Sequence, residues 1–246
     1  MPSGLDGHPD PLRSPQRACV LDEVADEVLR RRGSQPVTRV GVDGIDGAGK
    51  STLADELAAV LRSRDVLVVR ATTDSFHNPR AVRWARGPLS PEGFYRDSHD
   101  LDRLQALLLT PISADPPQPH RNAAFDEPSD TPVEVEAQTA TPGTVLVFDG
   151  LFLHRPELRG WWDLSLWVDG ARRVTDQRIA RALPTIGPGP AGLISLAWWC
   201  AVLDRYVGGM RLYQEQCRPE QRADAVVGND DLLAPTLTWR SGPSYR

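Results

Sequence analysis

Apolar residues in this chain fall into short continuous runs separated by longer stretches of helical spacing. Val37-Thr38-Arg39-Val40-Gly41-Val42 reads as a buried strand. Thr52 to Arg64 follows, with Leu53, Leu57, Val60 and Leu61 on one helical face. Val66-Leu67-Val68-Val69, Val145-Leu146-Val147-Phe148 and Leu164 to Val168 are further buried strands, and Ala225-Val226-Val227 is a short last one. Cys19 to Arg32, Asp100 to Leu109, Val174 to Leu183 and most of Gly192 to Cys217 read as helices. Strands that alternate with helices predict an α/β fold, a parallel sheet with helices on both faces.

Punctuation residues complete the outline. Residues 1–17 hold four prolines and two glycines with few apolar side chains, which predicts a disordered tail ahead of one domain over 18–246. Residues 111–143 hold seven prolines and little periodicity. They belong to an irregular insertion, about 75–143, expected to lie over the substrate side. Gly187-Pro188-Gly189-Pro190 breaks the chain after the Val174 to Leu183 helix, within a region, about 171–192, expected to form a lid. Gly192 to Cys200, with Trp198-Trp199, reads as a packed helix, an oligomer contact or a substrate contact.

Composition narrows the setting. The 246 residues carry a net charge of −5, so no general attraction to nucleic acid is implied. Cys19, Cys200 and Cys217 have neither metal-site nor disulfide spacing, which suits a reducing cytoplasm. No basic stretch followed by an apolar run opens the chain, so no secretory leader is expected. The most apolar segment, Ala191 to Leu203, is too short to span a bilayer, and no membrane partner is expected.

The basic residues hold the first chemical clue. Of 28 lysines and arginines only Lys50 is lysine. It lies in Gly44-Ile45-Asp46-Gly47-Ala48-Gly49-Lys50-Ser51-Thr52, which fits G-x-x-x-x-G-K-[ST] between a predicted strand and a predicted helix. Glycines let such a loop curl until successive N–H groups face a phosphate chain, and the following helix adds its positive end. The lysine then reaches the β/γ-phosphates and the serine hydroxyl binds Mg²⁺. ATP and Mg²⁺ are the cofactors this pattern points to. Guanine selection by an Asn/Thr-Lys-x-Asp element would need a second lysine, which argues against a switch GTPase.

In open parallel sheets ligands bind beyond the carboxyl ends of the strands. Asp74 and Asp149 follow the second and third predicted strands. Asp149, after four apolar residues, suits an acid that holds Mg²⁺ directly or through water, or else a turn aspartate. Asp74 suits a base for an acceptor hydroxyl, or an Asx-turn. Arg172, Arg173, Arg178 and Arg181 surround a predicted helix, with Arg178 and Arg181 sharing a face. They read as charge supplied to a moving phosphoryl group, or as a solvated basic face.

Together these segments resemble the uridine kinase family of P-loop kinases. The likeness continues through Asp74-Ser75-Phe76-His77, Ser90-Pro91-Glu92-Gly93-Phe94-Tyr95-Arg96-Asp97-Ser98, Phe148-Asp149-Gly150-Leu151-Phe152-Leu153, His154-Arg155-Pro156-Glu157-Leu158 and Arg222-Ala223-Asp224-Ala225-Val226-Val227. The resemblance implies ATP-dependent phosphorylation of a nucleoside 5′-hydroxyl, with Asp74 as base and Arg178 and Arg181 on a lid helix. It places Asp100 on the ribose, and Tyr95, His77, His99 and Phe125 on the acceptor side. The sequence departs from the family where Asp149 replaces a frequent glutamate and His77 a common tyrosine, and where Arg181 runs into Ala182-Leu183-Pro184. Two alternatives stand beside this reading. One is a kinase for a nucleotide, thymidylate kinase-like, or for another small alcohol, with Arg80, Arg83, Arg86 and Arg96 as cations for an acceptor phosphate. The other is an inactive ATP-binding regulator.

Overall fold

The computed structural model describes residues 14–33, 35–170 and 196–240. Its helices are α1 (Pro15–Arg31), α2 (Lys50–Ser63), α3 (Arg80–Arg83), α4 (Pro91–Asp97), α5 (Leu101–Leu104), α6 (Thr110–Ile112), α7 (Leu196–Cys217) and α8 (Pro219–Arg222). A π-helical turn, Gln105–Leu109, joins α5 to α6. The strands are β1 (Val37–Gly44), β2 (Val68–Thr72), β3 (Phe125–Asp126), β4 (Thr131–Pro132), β5 (Thr144–Asp149), β6 (Leu164–Asp169), β7 (Ala225–Gly228) and β8 (Thr236–Trp239).

Six strands form one sheet in the order β2-β5-β1-β6-β7-β8. All neighbours are parallel except β7 and β8. The sheet is therefore mixed, with one antiparallel edge that the apolar runs do not announce. Thr236-Leu237-Thr238-Trp239 alternates polar and apolar, the mark of a half-exposed edge strand. The central strands β1, β5 and β6 are mostly buried because both faces of the sheet are covered. Leu21, Val24 and Val28 of α1 and Leu53, Leu57 and Leu61 of α2 share one core with Val40, Val42, Val145 and Leu166. Leu104, Leu108, Leu109 and Ile112 cover the other face with Phe76, Leu146 and Phe148. A third cluster joins Phe94, Phe152 and Trp167 to Met210 and Tyr213 of α7.

Helix α1 begins inside the segment expected to be a tail. Ser14 caps it by accepting from Arg17 N at 3.0 Å, and Pro15 sits at the first helical position, where its missing N–H costs nothing. Arg17 is fully buried and bidentate to Glu56 of α2, at 3.0 and 2.8 Å. An arginine read as tail is thus a strut between two helices. No described helix is long and apolar enough to cross a membrane.

Register brings the carboxyl ends of the strands to one edge. Asp149 lies beside Val42 on one side and Thr72 on the other, and Gly44 lies beside Val168. The end of β1 is anchored by Asp43, which is fully buried. Its carboxylate accepts from Gly44 N at 2.8 Å, Leu153 N at 3.1 Å and the Tyr213 hydroxyl, and meets His154 Nδ1 at 2.9 Å. Burial and the Asp43 charge push the Tyr213 hydroxyl well above its usual pKa, so it stays a donor. Asp43→Ala strands these partners in a dry interior. We expect it to cost about 3–5 kcal/mol, read from the denaturant midpoint.

Candidate active site

The glycine loop leaves β1 and ends at the first turn of α2. Gly49 caps α2 with φ 91°, in the left-handed region, and a Cβ there would sit 2.8 Å from Asn229 Nδ2. The loop is braced from outside. Fully buried Asn229, just past β7, donates to Ala48 O at 2.6 Å and accepts from Arg17 Nη1 at 3.0 Å. Neither Arg17 nor Asn229 stands out by composition. Asn229 does obey the strand-end rule that exposes Asp74 and Asp149.

Lys50, at the base of the loop, donates to Ile45 O at 2.9 Å. Ser51 Oγ donates to Asp149 Oδ2 at 2.6 Å. The second oxygen of Asp149 is held by Arg70 Nη2 at 2.9 Å, and Arg70 also pairs with Asp55 at 2.8 Å. Asp149 is 1% exposed, so Arg70 offsets the cost of placing its charge there. A hydroxyl and a carboxylate oxygen side by side at a strand end are the hard oxygen donors that Mg²⁺ takes alongside water. Ser51 and Asp149 therefore fit that ion.

Asp74 follows β2 on a 3₁₀ turn, Thr73–Phe76. A Cβ on Gly150 would lie 2.1 Å from Thr73 Oγ1. Only glycine lets the Asp149-Gly150 turn close on the Asp74 turn. Asp74 is solvent-accessible, yet protein surrounds it closely enough that desolvation raises its pKa. The charges of His77 and Lys50 act against that shift, and those of Asp149 and Asp46 reinforce it.

The structure separates the other expected acceptor residues. His77 and His99 come together as an antiparallel bridge pair with ring centroids 4.7 Å apart. Burial, followed by the charges of His77, Arg155 and Arg83, holds the His99 pKa well below its usual value. Phe125 is buried on β3, which is anchored beside the Asp74 turn by Ala124 N donating to Ser75 O at 2.9 Å. Asp100 caps α5, accepting from Arg103 N at 2.9 Å. Tyr95, expected on the acceptor side, instead lies in the core with its hydroxyl 3.4 Å from Cys217 Sγ. Its ring packs on Phe152 because that face of α4 turns inward. Arg178 and Arg181 lie outside the described residues, as do Arg172 and Arg173.

The arginines expected near an acceptor phosphate are engaged elsewhere. Arg83 pairs with Glu127 and Asp130, Arg86 with Asp97, and Arg96 with Glu92. Arg80 lies over the Trp84 ring at 5.2 Å. Arg205 of α7 differs. It lies over the rings of Phe94 and Tyr206, its Nε is buried without a hydrogen-bond partner, and it makes no ion pair among the described residues. Burial works against its charge, and the charges of Arg83 and Glu127 reach it. The neighbouring Tyr206 feels Asp46 of the glycine loop.

No protein-family model and no curated protein matches this chain. Solved structures do. A possible uridine kinase from Bacillus stearothermophilus superposes with a TM-score of 0.64 at 21% identity, covering 85% of this chain and 97% of that one. The chain has a P-loop NTPase fold. A D-glycerate 3-kinase from Cryptococcus neoformans gives 0.61 at 13% identity, over 90% of this chain and 99% of that one. A kinase ascribed to a fructose transport system of a Silicibacter species gives 0.60 at 23%, over 82% and 94%. The expected α/β architecture and its likeness to uridine kinase-like P-loop kinases thus hold at the level of fold. One of these names carries uridine, one D-glycerate and one a fructose transport system, so the shared fold leaves the ligand of this chain open.

Proposed function

We propose that this protein transfers the γ-phosphoryl group of ATP to a hydroxyl of a small alcohol. One observation carries the reading: Ser51 of the glycine loop bonds Asp149 at 2.6 Å, and the Asp149-Gly150 turn closes against Thr73, the residue before Asp74. In this reading the loop N–H groups and the α2 terminus hold the phosphates, and Lys50 follows the charge that gathers on the β/γ-oxygens. Ser51 and Asp149 hold Mg²⁺, which supplies charge neutralisation when bound. Asp74 accepts the acceptor hydroxyl proton as its oxygen attacks phosphorus, and ADP leaves. Arg178 and Arg181 close over the transferring group, an expectation carried by the family resemblance.

Within that class, a nucleoside 5′-hydroxyl is the first reading, supported by the His77–His99 wall beside Asp74. Arg205 favours a second: an acceptor carrying a carboxylate or phosphate. A half-buried guanidinium with no acid partner among the described residues lacks the compensation such charges normally have. An ADP-release screen over nucleosides, nucleoside monophosphates, hydroxy acids and sugar phosphates separates the two. Turnover with uridine or cytidine supports the first. If the second holds, Arg205→Ala raises KM for the acidic acceptor about 10-fold or more, the worth of a charge-assisted hydrogen bond, and leaves KM for ATP unchanged. No acceptor-dependent ADP release in any class removes the kinase reading.

A further inference from the structure

Beside its glycine loop the molecule holds a second set of ligand atoms. A carboxylate oxygen of Asp74 and one ring nitrogen each from His77 and His99 all lie within 4.8 Å of one another. Three features of the chain converge on this spot. Asp74 and His77 are three residues apart at the 3₁₀ turn, where side chains at i and i+3 eclipse. His99 is brought opposite His77 by the antiparallel bridge. The His77 Nδ1 position is fixed by the Asp74 carbonyl at 2.9 Å, the backbone contact that orients metal-binding histidines and leaves Nε2 to face a ligand.

His99 supplies an independent pointer. It is 6% exposed and its Nε2 has no hydrogen-bond partner. A buried polar atom left unpaired costs about 1–3 kcal/mol, so its persistence in a well-packed region calls for a ligand. We propose that Asp74, His77 and His99 form a binding site for a transition-metal ion of the zinc class, distinct from the Mg²⁺ site at Ser51 and Asp149. Two imidazoles and one carboxylate select zinc, cobalt or nickel over magnesium, which prefers all-oxygen sets. Three protein ligands leave a fourth position for water. Tetrahedral ligands about 2.0–2.1 Å from zinc stand roughly 3.4 Å apart. The solvent-accessible Asp74 side chain can swing inward to close the set.

The site has a consequence that rests on the kinase reading. An ion held by Asp74 occupies the lone pairs that accept the hydroxyl proton, so zinc inhibits transfer even with Mg²⁺ in excess. Binding itself is independent of that reading and is tested without turnover. The full chain is titrated with Co²⁺ in excess Mg²⁺ and without nucleotide, and visible absorption is recorded. One Co²⁺ per chain with intense low-coordinate bands, displaced by one equivalent of Zn²⁺, is expected. His77→Gln and His99→Gln each remove a ligand. Their loss of affinity should exceed the roughly 10- to 100-fold that losing a supporting contact costs. Asp149→Asn, at the Mg²⁺ site, leaves the bands in place. Thermal melting reports whether each variant is folded; should His99→Gln not fold, His77→Gln and Asp74→Asn carry the comparison. No stoichiometric uptake, uptake unchanged in the folded variants, or thiolate-to-cobalt absorption that puts the ion on a cysteine overturns the site. A chain that binds Co²⁺ this way yet turns over no acceptor refutes the kinase reading alone.

Discussion

Lys50→Ala lowers acceptor-dependent ADP release by at least about 10²- to 10³-fold, the effect of removing one donor aimed at transition-state charge. The expectation comes from chemistry and from position. Every other basic residue in the sequence is an arginine, whose planar fork cannot replace a compact ammonium at the base of a tight loop. The Lys50 ammonium donates to Ile45 O, a carbonyl of the loop itself, so truncation leaves no carboxylate without its partner at that contact. Stability should therefore change by only about 1 kcal/mol. Circular dichroism and the melting temperature test that half, and steady-state kinetics the other. A folded variant with near-wild-type turnover would remove Lys50 from the mechanism.

Asp74→Asn lowers kcat by at least about 10²-fold, the lower end of what a positioned general base contributes. KM for ATP changes little, because in the proposed mechanism Asp74 acts on the acceptor hydroxyl and the glycine loop holds the nucleotide. The same substitution should not destabilise the fold, and the reason is a matter of sign. Desolvation, the largest influence, raises the Asp74 pKa in the folded protein. A raised carboxyl pKa means the fold prefers the protonated form. The preference contributes stability below the unfolded-state pKa and is lost as pH rises through the folded one. The ionised form of Asp74 weighs against folding, and a neutral amide relieves it. Variant melting temperatures at pH 7 should equal or exceed wild type. For the wild-type enzyme the acidic limb of kcat/KM lies above the ordinary carboxylate range, and Asp74→Asn removes it. A variant that loses activity only because it melts would contradict the base assignment.

The sequence and the structure agree most closely where local chemistry leaves few options. The glycine octet is legible because its loop needs glycine freedom, a lysine and a hydroxyl at fixed offsets. Asp74 and Asp149 are legible because apolar runs mark strands and ligands gather at strand ends. What escapes is built from long-range pairing. Arg17 lies in a proline-rich stretch whose composition hides the Ser14-Pro15 cap, and its partners Glu56 and Asn229 are 39 and 212 residues away. Arg70 lies just past the apolar run Val66 to Val69, and only the fold reveals it as the counter-ion of Asp149. Tyr95 belongs to a segment that resembles an acceptor-side motif, yet the turn of α4 sends it to Cys217. Arg205 is one arginine among 27, distinguished by having no acid partner among the described residues. Antiparallel β8 is short and half-exposed, so its alternation is easily read as coil.

The acceptor side follows the same logic. His77 and His99 meet near Asp74 through a bridge, and Ala124, next to Phe125, bonds Ser75, so segments far apart in sequence are joined there. The proposed base is visible as one residue type at one strand end, whereas the proposed acceptor contacts come from the irregular insertion and from α7.

The most direct measurement follows the phosphoryl group itself. The wild-type chain is incubated with ATP labelled at the γ-phosphorus, Mg²⁺ and the acceptor chosen by the screen, in parallel with Lys50→Ala and Asp74→Asn. Label that moves into an acid-stable phosphate monoester of the acceptor, in step with ADP and only in the wild type, is the predicted result. Label that stays in ATP or appears solely as inorganic phosphate, or transfer that survives in both variants, would contradict it.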